Sequence, residues 1–229
     1  ISGAIARIQS KISKKVFFSI LSVNILTLNK LLNLSETSHP IIHIHNWFNI
    51  VSQKQIIEFL NAGFPVVLTM HDQRIFTGGC HYSFECQGFQ ENCSNCPILP
   101  AGLKHWPSRV IKKAKRHKNA LASNFQLIAP SKWMLEQAQK STLLEGSRLH
   151  FIPNTLDHLP ESRNKSRSTK ARSGVLEIGI ASMNKDSYIK GGDIIEELES
   201  KIISLKLPIN LIFLSDESVQ MNPVEQFWD

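Results

Sequence analysis

The sequence contains no apolar run long enough to cross a membrane and no complete export signal. The apolar segment at residues 16–28 is interrupted by two serines and an asparagine, and it is shorter than the roughly 20 residues that a membrane-spanning helix needs. Lys14 and Lys15 precede it, as basic residues precede the apolar part of a signal peptide, but no small-residue cleavage site follows. We interpret the segment as a core helix and expect a cytoplasmic protein.

Three other absences bear on the class of protein and on whether the sequence is complete. The sequence has no glycine-rich dinucleotide fingerprint, which argues against a sugar-phosphate enzyme of unrelated chemistry such as an epimerase. No aromatic residue stands between Arg109 and Lys118, so this basic segment lacks the interleaved aromatic residues that favour nucleic-acid binding. The sequence begins at Ile1 instead of a methionine and stops soon after a strand-like run. We expect it to be a piece of a longer protein.

The composition is that of a globular protein with a local excess of positive charge. The chain has 229 residues, 42% of them apolar, which is enough for one substantial core or two smaller ones. The formal net charge is +7, and 12 of the 26 basic residues lie in the segments 104–118 and 163–172. Such a basic patch suits nucleic acid, an anionic membrane or a phosphorylated ligand, and a solvated helix face is the plain alternative.

Short β-branched runs alternate with amphipathic segments along the first two thirds of the chain. The predicted strands are residues 41–45, 65–70, 125–130 and 149–153, and the predicted helices are 52–63, 108–122 and 131–144, with Ser108 and Ser131 as caps. Strands that alternate with helices predict an α/β fold with a mostly parallel sheet covered on both faces.

The chain divides into two parts at a polar, basic stretch without an apolar pattern. We predict a first domain over residues 1–157, a linker at 158–173 and a second domain at 174–229. The second part shows strands at 175–181 and 210–214 around a helix at 193–205. Because it is much shorter than a usual α/β domain of about 100 residues or more, we expect it to be only the beginning of that domain.

All four cysteines lie in one loop, residues 78–97, after the predicted strand at 65–70. Cys80, Cys86, Cys93 and Cys96 have the spacing C-x5-C-x6-C-x2-C. The last pair has the spacing of a zinc knuckle, and four thiolates can close a tetrahedral structural zinc site, although the first gap is longer than usual. Structural zinc, free thiols and disulfides remain the alternatives, and disulfides are disfavoured in a reducing compartment.

Polar residues follow the predicted strands where parallel sheets place their ligands. His71 and Asp72 end the strand at 65–70, and a histidine there can act as a general base or donate a hydrogen bond to a substrate. It can equally be a structural histidine. His43 and His45 alternate with isoleucines, so both point to one face; we favour a buried, hydrogen-bonded pair over a metal-binding pair.

Glycine pairs mark two further candidate sites. Gly78 and Gly79 free the backbone to adopt positive φ and to approach a substrate closely. Lys190 stands just before Gly191 at the start of a predicted helix, and free helix amides beside a lysine suit a diphosphate. A solvated turn is the alternative reading of the second pair.

Seven segments together resemble the bacterial family 4 (group 1) glycosyltransferases of the GT-B fold, in the branch that builds colanic-acid-like exopolysaccharides. They are HIHNWF, VVLTMHD, TGGCHYSFEC, CSNCP, IAPSKWMLEQAQKS, FIPNTLD and KGG. Their order and spacing match from about residue 40 to 195. TGGCHY and the cysteines are specific to the branch, whereas PSKW and PNTLD occur across the family.

The resemblance implies two Rossmann-like domains that face each other. The first would bind mostly the acceptor and the second the nucleotide sugar, and transfer would retain the anomeric configuration without an obligatory catalytic metal. His71 matches a histidine that contacts the transferred sugar, and Lys190 matches a lysine that neutralises the donor diphosphate. Ser131 and Asn154 match motif residues that cap a helix and shape the cleft, where Asp72 and the glycine pair at 78–79 also fall.

The sequence departs from the family pattern in three places. Asn184 stands where the family usually has an arginine, so Lys185 would have to replace it. The glycine-rich loop after the family's first strand would precede residue 1. The paired glutamates that hold the donor would follow residue 229, and we therefore expect these residues alone to be inactive.

These observations lead to one hypothesis and one alternative from another class. The hypothesis is a retaining glycosyltransferase that moves a hexose from a nucleotide diphosphate sugar to a growing, lipid-linked oligosaccharide. It would work at the cytoplasmic face of the membrane, where the basic segment 104–118 contacts anionic lipid, and would not bind nucleic acid. The alternative is a non-catalytic zinc-knuckle module that binds nucleic acid.

Overall fold

A computed structural model describes residues 40–45, 47, 50–116, 124–155, 174–181, 188–215 and 218–221, together with Phe18 and Asn33. The chain divides into two compact units, Ile1–Thr155 and Leu156–Asp229. The predicted linker at 158–173 and Lys185 lie outside the described residues. In the described part, no helix has the length and apolar character needed to cross a membrane.

The first unit is built on a four-stranded sheet in which all neighbours are parallel and the spatial order follows the sequence. The strands are β1 (Ile42–His45), β2 (Val66–Thr69), β3 (Phe125–Ala129) and β4 (Arg148–Phe151). Parallel neighbours need crossover connections, and these are mainly helical here. The predicted α/β fold with parallel strands is thus confirmed for this unit.

Three helices of the first unit are described, and two have polar caps, of which Ser131 was predicted and Ser52 was not. They are α1 (Gln53–Asn61), α2 (Trp106–Lys115) and α3 (Lys132–Gln139). Ser52 caps α1 in a reciprocal capping box with Gln55, and the Ser131 hydroxyl accepts a hydrogen bond from the Met134 amide, 3.1 Å away, at the start of α3. Each cap satisfies amides that the first helical turn leaves unpaired.

The helix predicted at 108–122 begins earlier and has a different start. It begins at Trp106 with Pro107 in its first turn, where the fixed φ of proline suits a helix and the missing N–H costs nothing. Ser108 is therefore not the cap; its hydroxyl donates to the His105 carbonyl, 2.8 Å away. The described part of the helix ends at Lys115, and residues 117–123 lie outside the described residues.

The helix predicted at 131–144 ends sooner, at Gln139. The hydroxyl of the buried residue Ser141 donates to the Phe76 carbonyl, 3.0 Å away, and accepts a hydrogen bond from the Leu143 amide. A serine that binds nearby backbone groups competes with helical hydrogen bonding. The chain leaves the helix there and attaches to the segment that follows β2.

The core of the first unit fills the space between the sheet and the helices. Alternate residues of the strands point into it, including Ile44, Leu68 and Leu127, and they meet Phe59 of α1 and Ala138 of α3. Of these side chains, Leu68, Leu127, Phe59 and Ala138 are fully buried. Burial of this apolar surface is the main stabilising contribution and holds the strands in register.

The second unit contains β5 (Leu176–Ala181), α4 (Gly192–Ser204), β6 (Ile209–Ser215) and β7 (Ser218–Met221). β5 and β6 are parallel, as predicted, whereas β7 pairs with β6 in an antiparallel direction and was not predicted. A small core joins Ile195 and Ile202 of α4 to Leu211 and Phe213 of β6.

Candidate active site

The carboxyl edge of the first sheet collects most of the residues predicted to be functional. His45 ends β1, His71 and Asp72 follow β2, Ser131 follows β3 and Asn154 follows β4. Parallel strands in register bring these strand ends to the same edge, where open α/β sheets bind their ligands. Asn154 and Ser131 are exposed there, and the hydroxyl of Ser131 also serves as the α3 cap.

Three imidazoles form a cluster at this edge. Nδ1 of His45 lies 3.0 Å from Nε2 of His71, and Nε2 of His43 lies 2.9 Å from the hydroxyl of Thr69. The ring centroids of His43 and His45 are 4.2 Å apart. Burial first, and then charge on His45 and His71, lowers the pKa of His43.

The histidines of β1 share one face, as the alternation with isoleucine predicts, but that face is not buried. Ile42 and Ile44 point into the core, whereas His43 and His45 are exposed. The expectation of a buried pair was therefore wrong. His43 hydrogen-bonds to Thr69 on the neighbouring strand, and His45 hydrogen-bonds to His71 just beyond the end of that strand.

A small pocket, too narrow to hold a ligand in this conformation, lies beside this cluster. It is lined by the polar residues Thr69, His71 and Asp72 and by the apolar residues Trp47, Leu68, Met70 and Ile75. His71 is exposed and Asp72 is half-buried. The exposed His71 imidazole beside Trp47 can donate or accept a hydrogen bond at this edge of the sheet.

Asp72 anchors the loop that follows β2. One carboxylate oxygen accepts a hydrogen bond from the Arg74 amide, 2.9 Å away, and the other lies 2.6 Å from Nδ1 of His81. The His81 side chain is almost fully buried. A carboxylate with two such donors holds the loop in one conformation, and charge-assisted bonds of this kind are among the stronger hydrogen bonds.

Gln73 and Arg74 extend this anchor into the interior. The backbone N–H of Gln73 donates to the His81 carbonyl, 2.9 Å away. The side-chain oxygen of Gln73 accepts a hydrogen bond from the backbone N–H of Ser83. The buried guanidinium of Arg74 lies over the Trp47 ring, 5.2 Å from its centroid. Burial lowers the pKa of Arg74 to about 10, against the opposing effect of Asp72.

Gly78 and Gly79 are packed against protein and do not face the pocket. A side chain on Gly78 would collide with Pro107, and one on Gly79 would collide with the ring of Phe18. Gly79 does adopt the predicted positive φ, of 143°. Close packing of the loop therefore requires glycine at both positions. The predicted reason, close approach to a substrate, is not the one that the structure gives.

The four cysteines are free thiols in the same loop. Cys80 packs with the buried residue Cys96, and burial raises the pKa of Cys80, of Cys96 and of Cys93, the last to about 11. Within the described ranges, no group of three or more His, Cys, Asp or Glu residues is arranged to hold a metal ion. The zinc prediction gains no support from these side-chain positions.

The predicted diphosphate site belongs to the second unit. Lys190 ends a short 3-10 turn and is exposed, and Gly191 precedes α4 with a φ of 75°. That left-handed conformation favours glycine. The first turn of α4 also carries Asp193. Its negative charge reduces the positive potential at the helix start and so weakens the attraction for an anion.

Sequence reasoning did not identify His81, Trp47 or Arg74 as parts of the site. Their contacts join residues that are separated in the chain, such as Asp72 and His81, and they depend on the path of an irregular loop. The dense polar sequence between Asp72 and Ser83 was the one available indication. It did not show which side chains would be paired.

We predict that His81→Ala destabilises the first unit by about 1.5–3 kcal/mol, because it leaves the half-buried Asp72 carboxylate without its imidazole donor. The measurement is urea unfolding followed by tryptophan fluorescence. His150→Ala is the matched control, since His150 hydrogen-bonds to Gln126 on the exposed surface and should change stability by less than about 0.5 kcal/mol. Equal effects of the two substitutions would contradict the anchoring role of the Asp72–His81 pair.

Comparison with known proteins supports a glycosyltransferase relationship. The chain is 26% identical over 141 residues to a protein of Escherichia coli (strain K12) named "Putative colanic acid biosynthesis glycosyl transferase WcaC". The match covers 56% of this chain and 34% of that relative, so the chain corresponds to about a third of the relative's length. No family model matches the sequence, and no solved structure matches it.

The mixed α/β architecture with parallel strands is consistent with a Rossmann-like glycosyltransferase fold.

Proposed function

We propose that these residues are part of a retaining glycosyltransferase of family 4 with the GT-B fold. The enzyme moves a hexose from a nucleotide diphosphate sugar to a lipid-linked oligosaccharide in exopolysaccharide synthesis, with no metal needed for catalysis. The observation that carries the proposal is the 26% identity to the colanic acid relative. The imidazole cluster at the carboxyl edge of the first sheet supports it, because a donor and acceptor require such a polar site.

In this proposal the first unit supplies His71 and the second supplies the charge for the leaving group. His71 is exposed beside the pocket and contacts the transferred sugar through a ring nitrogen. Lys190, with Lys185 and the amide of Gly191, neutralises the diphosphate as the sugar bond breaks. Stabilising a charge that develops in the transition state is the most effective use of such a lysine.

The membrane part of the proposal rests on the exposed basic face of α2. Arg109, Lys112, Lys113 and Lys115 are exposed, Arg116 follows them, and the helix contains no acidic residue. A cluster of this kind is attracted to anionic lipid by about 1 kcal/mol per basic residue near the surface. The proposed location is the cytoplasmic face of the membrane.

We predict that His71→Ala abolishes sugar transfer in the complete protein without unfolding it. An exposed imidazole contributes little packing, and a lost catalytic contact typically lowers the rate by about 100-fold or more. Transfer of labelled hexose to a membrane fraction is the readout, with circular dichroism as the folding check. His150→Ala, which removes a histidine from another strand of the same sheet, should retain activity. Full activity of His71→Ala would remove His71 from the site.

We predict that replacing Lys112, Lys113 and Lys115 by glutamine weakens binding to vesicles containing phosphatidylserine by about 100-fold at low salt, since three attractive charges are lost. Sedimentation with vesicles measures the partition. The control replaces Lys54, Lys132 and Lys140, which are exposed lysines elsewhere in the first unit, by glutamine and changes the net charge equally. The same loss in both triple variants would show a general charge effect and refute the α2 contact.

A structural zinc ion on Cys80, Cys86, Cys93 and Cys96 is a separate proposal that rests on their spacing alone. We predict about one zinc per chain in protein purified under reducing conditions. The double replacement of Cys93 and Cys96 by serine should remove this zinc. Elemental analysis by mass spectrometry measures the metal. Ser94→Ala, which changes an exposed residue of the same loop, is the control and should keep the zinc. Reduced protein without zinc would refute the metal but leave the proposal of glycosyl transfer intact.

A further inference from the structure

The imidazoles of His45 and His71 are joined across the ends of neighbouring strands. Nδ1 of His45 and Nε2 of His71 are 3.0 Å apart, and the ring planes are inclined by 32° with centroids 5.3 Å apart. The parallel register pairs His45 with Thr69, and His71 follows Thr69 by two residues. The pairing of β1 with β2 therefore brings the two imidazoles close together.

A hydrogen bond between two imidazole nitrogens links the protonation of both rings. A neutral imidazole has one nitrogen that donates and one that accepts, so the bridge holds a single proton. If Nδ1 of His45 carries it, neutral His71 has its own proton on Nδ1. If Nε2 of His71 carries the bridging proton, Nδ1 of His71 is a bare acceptor. The form that His71 presents at its other nitrogen is thus linked to the tautomer of His45.

The groups around the pair leave His45 as the partner of His71. His43 packs beside His45 from the same strand and hydrogen-bonds to Thr69. On the loop side, Asp72 follows His71, but its carboxylate oxygens are engaged by the Arg74 amide and by His81. The partner that the structure gives His71 for hydrogen bonding is thus His45.

We propose that His45 is the positioning residue of His71: its ring nitrogen fixes the orientation of the His71 ring and the position of its proton. The inference rests on the proposed function, in which His71 contacts the transferred sugar. Nδ1 of His71 then accepts a hydrogen bond from a hydroxyl of the transferred sugar, while the Nε2–H of His71 donates to Nδ1 of His45. No proton is transferred, and the bridge holds the His71 ring in the tautomer that accepts at Nδ1.

The bridge can be tested by nuclear magnetic resonance in this chain with nitrogen-15 histidine at low temperature. We expect a scalar coupling between a nitrogen of His45 and a nitrogen of His71, because electron density is shared through an N–H···N bond. His45→Ala should remove the coupling and change the tautomer of His71. His43→Ala, which removes a ring from the same face of β1, should retain the coupling. Absence of the coupling in the unaltered, folded chain would overturn the proposal.

The functional arm uses the complete protein and separates turnover from binding. We expect His45→Ala to lower kcat by about threefold to tenfold, the effect of losing one hydrogen bond, with the KM for the nucleotide sugar little changed. His45→Asn should recover part of kcat, since an amide can stand near the place of Nδ1. The pH profile of kcat should shift in His45→Ala. A kcat and pH profile equal to those of the unaltered enzyme would refute the positioning role.

The two arms distinguish failure of the inference from failure of the proposed function. If no nucleotide sugar supports transfer by the unaltered complete protein, the proposed function is refuted, and so is the role of His45 in it. The coupling would then still decide whether the imidazole bridge exists. If transfer occurs and His71→Ala abolishes it, an unaffected His45→Ala enzyme would refute the inference alone.

Discussion

The parallel register between β1 and β2 is the constraint on which the candidate site depends. It pairs Ile42 with Val66 and His45 with Thr69, so the core side and the histidine side of β1 are determined together. A shift of one residue would bury the histidines and expose the isoleucines. The core contacts of Ile44 and Leu68 oppose such a shift, and the apolar core thereby positions a polar cluster at the edge of the sheet.

The irregular loop after β2 depends on a different kind of interaction. Between Thr69 and Trp106 the described chain has only short 3-10 turns, so its backbone groups are not ordered by a helix or a sheet. Asp72, His81 and Gln73 provide some of the hydrogen bonds that order it, beside backbone bonds such as that from Cys96 to Lys104. Buried polar groups of this kind must be paired to be tolerated. The same carboxylate that orders the loop lies beside the proposed substrate-contacting imidazole, so stability and function are coupled there.

The periodic parts of the fold were predictable from the sequence, and the loop contacts were not. Alternation in Ile42–His45 predicted one shared histidine face, and Ser131 predicted a helix cap, because both depend on local geometry. The exposure of His43, the packing of Phe18 on Gly79 and the Asp72–His81 bond depend on which distant segments meet. The early end of α3 at Gln139 has the same origin, since Ser141 bonds to Phe76.

The most direct test of glycosyl transfer is to incubate the complete protein with membranes and, one at a time, labelled nucleotide diphosphate hexoses. The account predicts that one donor transfers its sugar to the lipid fraction, with an equal amount of nucleoside diphosphate released and the anomeric configuration retained. Folded protein that transfers sugar from none of the donors, in membranes that contain the acceptor, would contradict it.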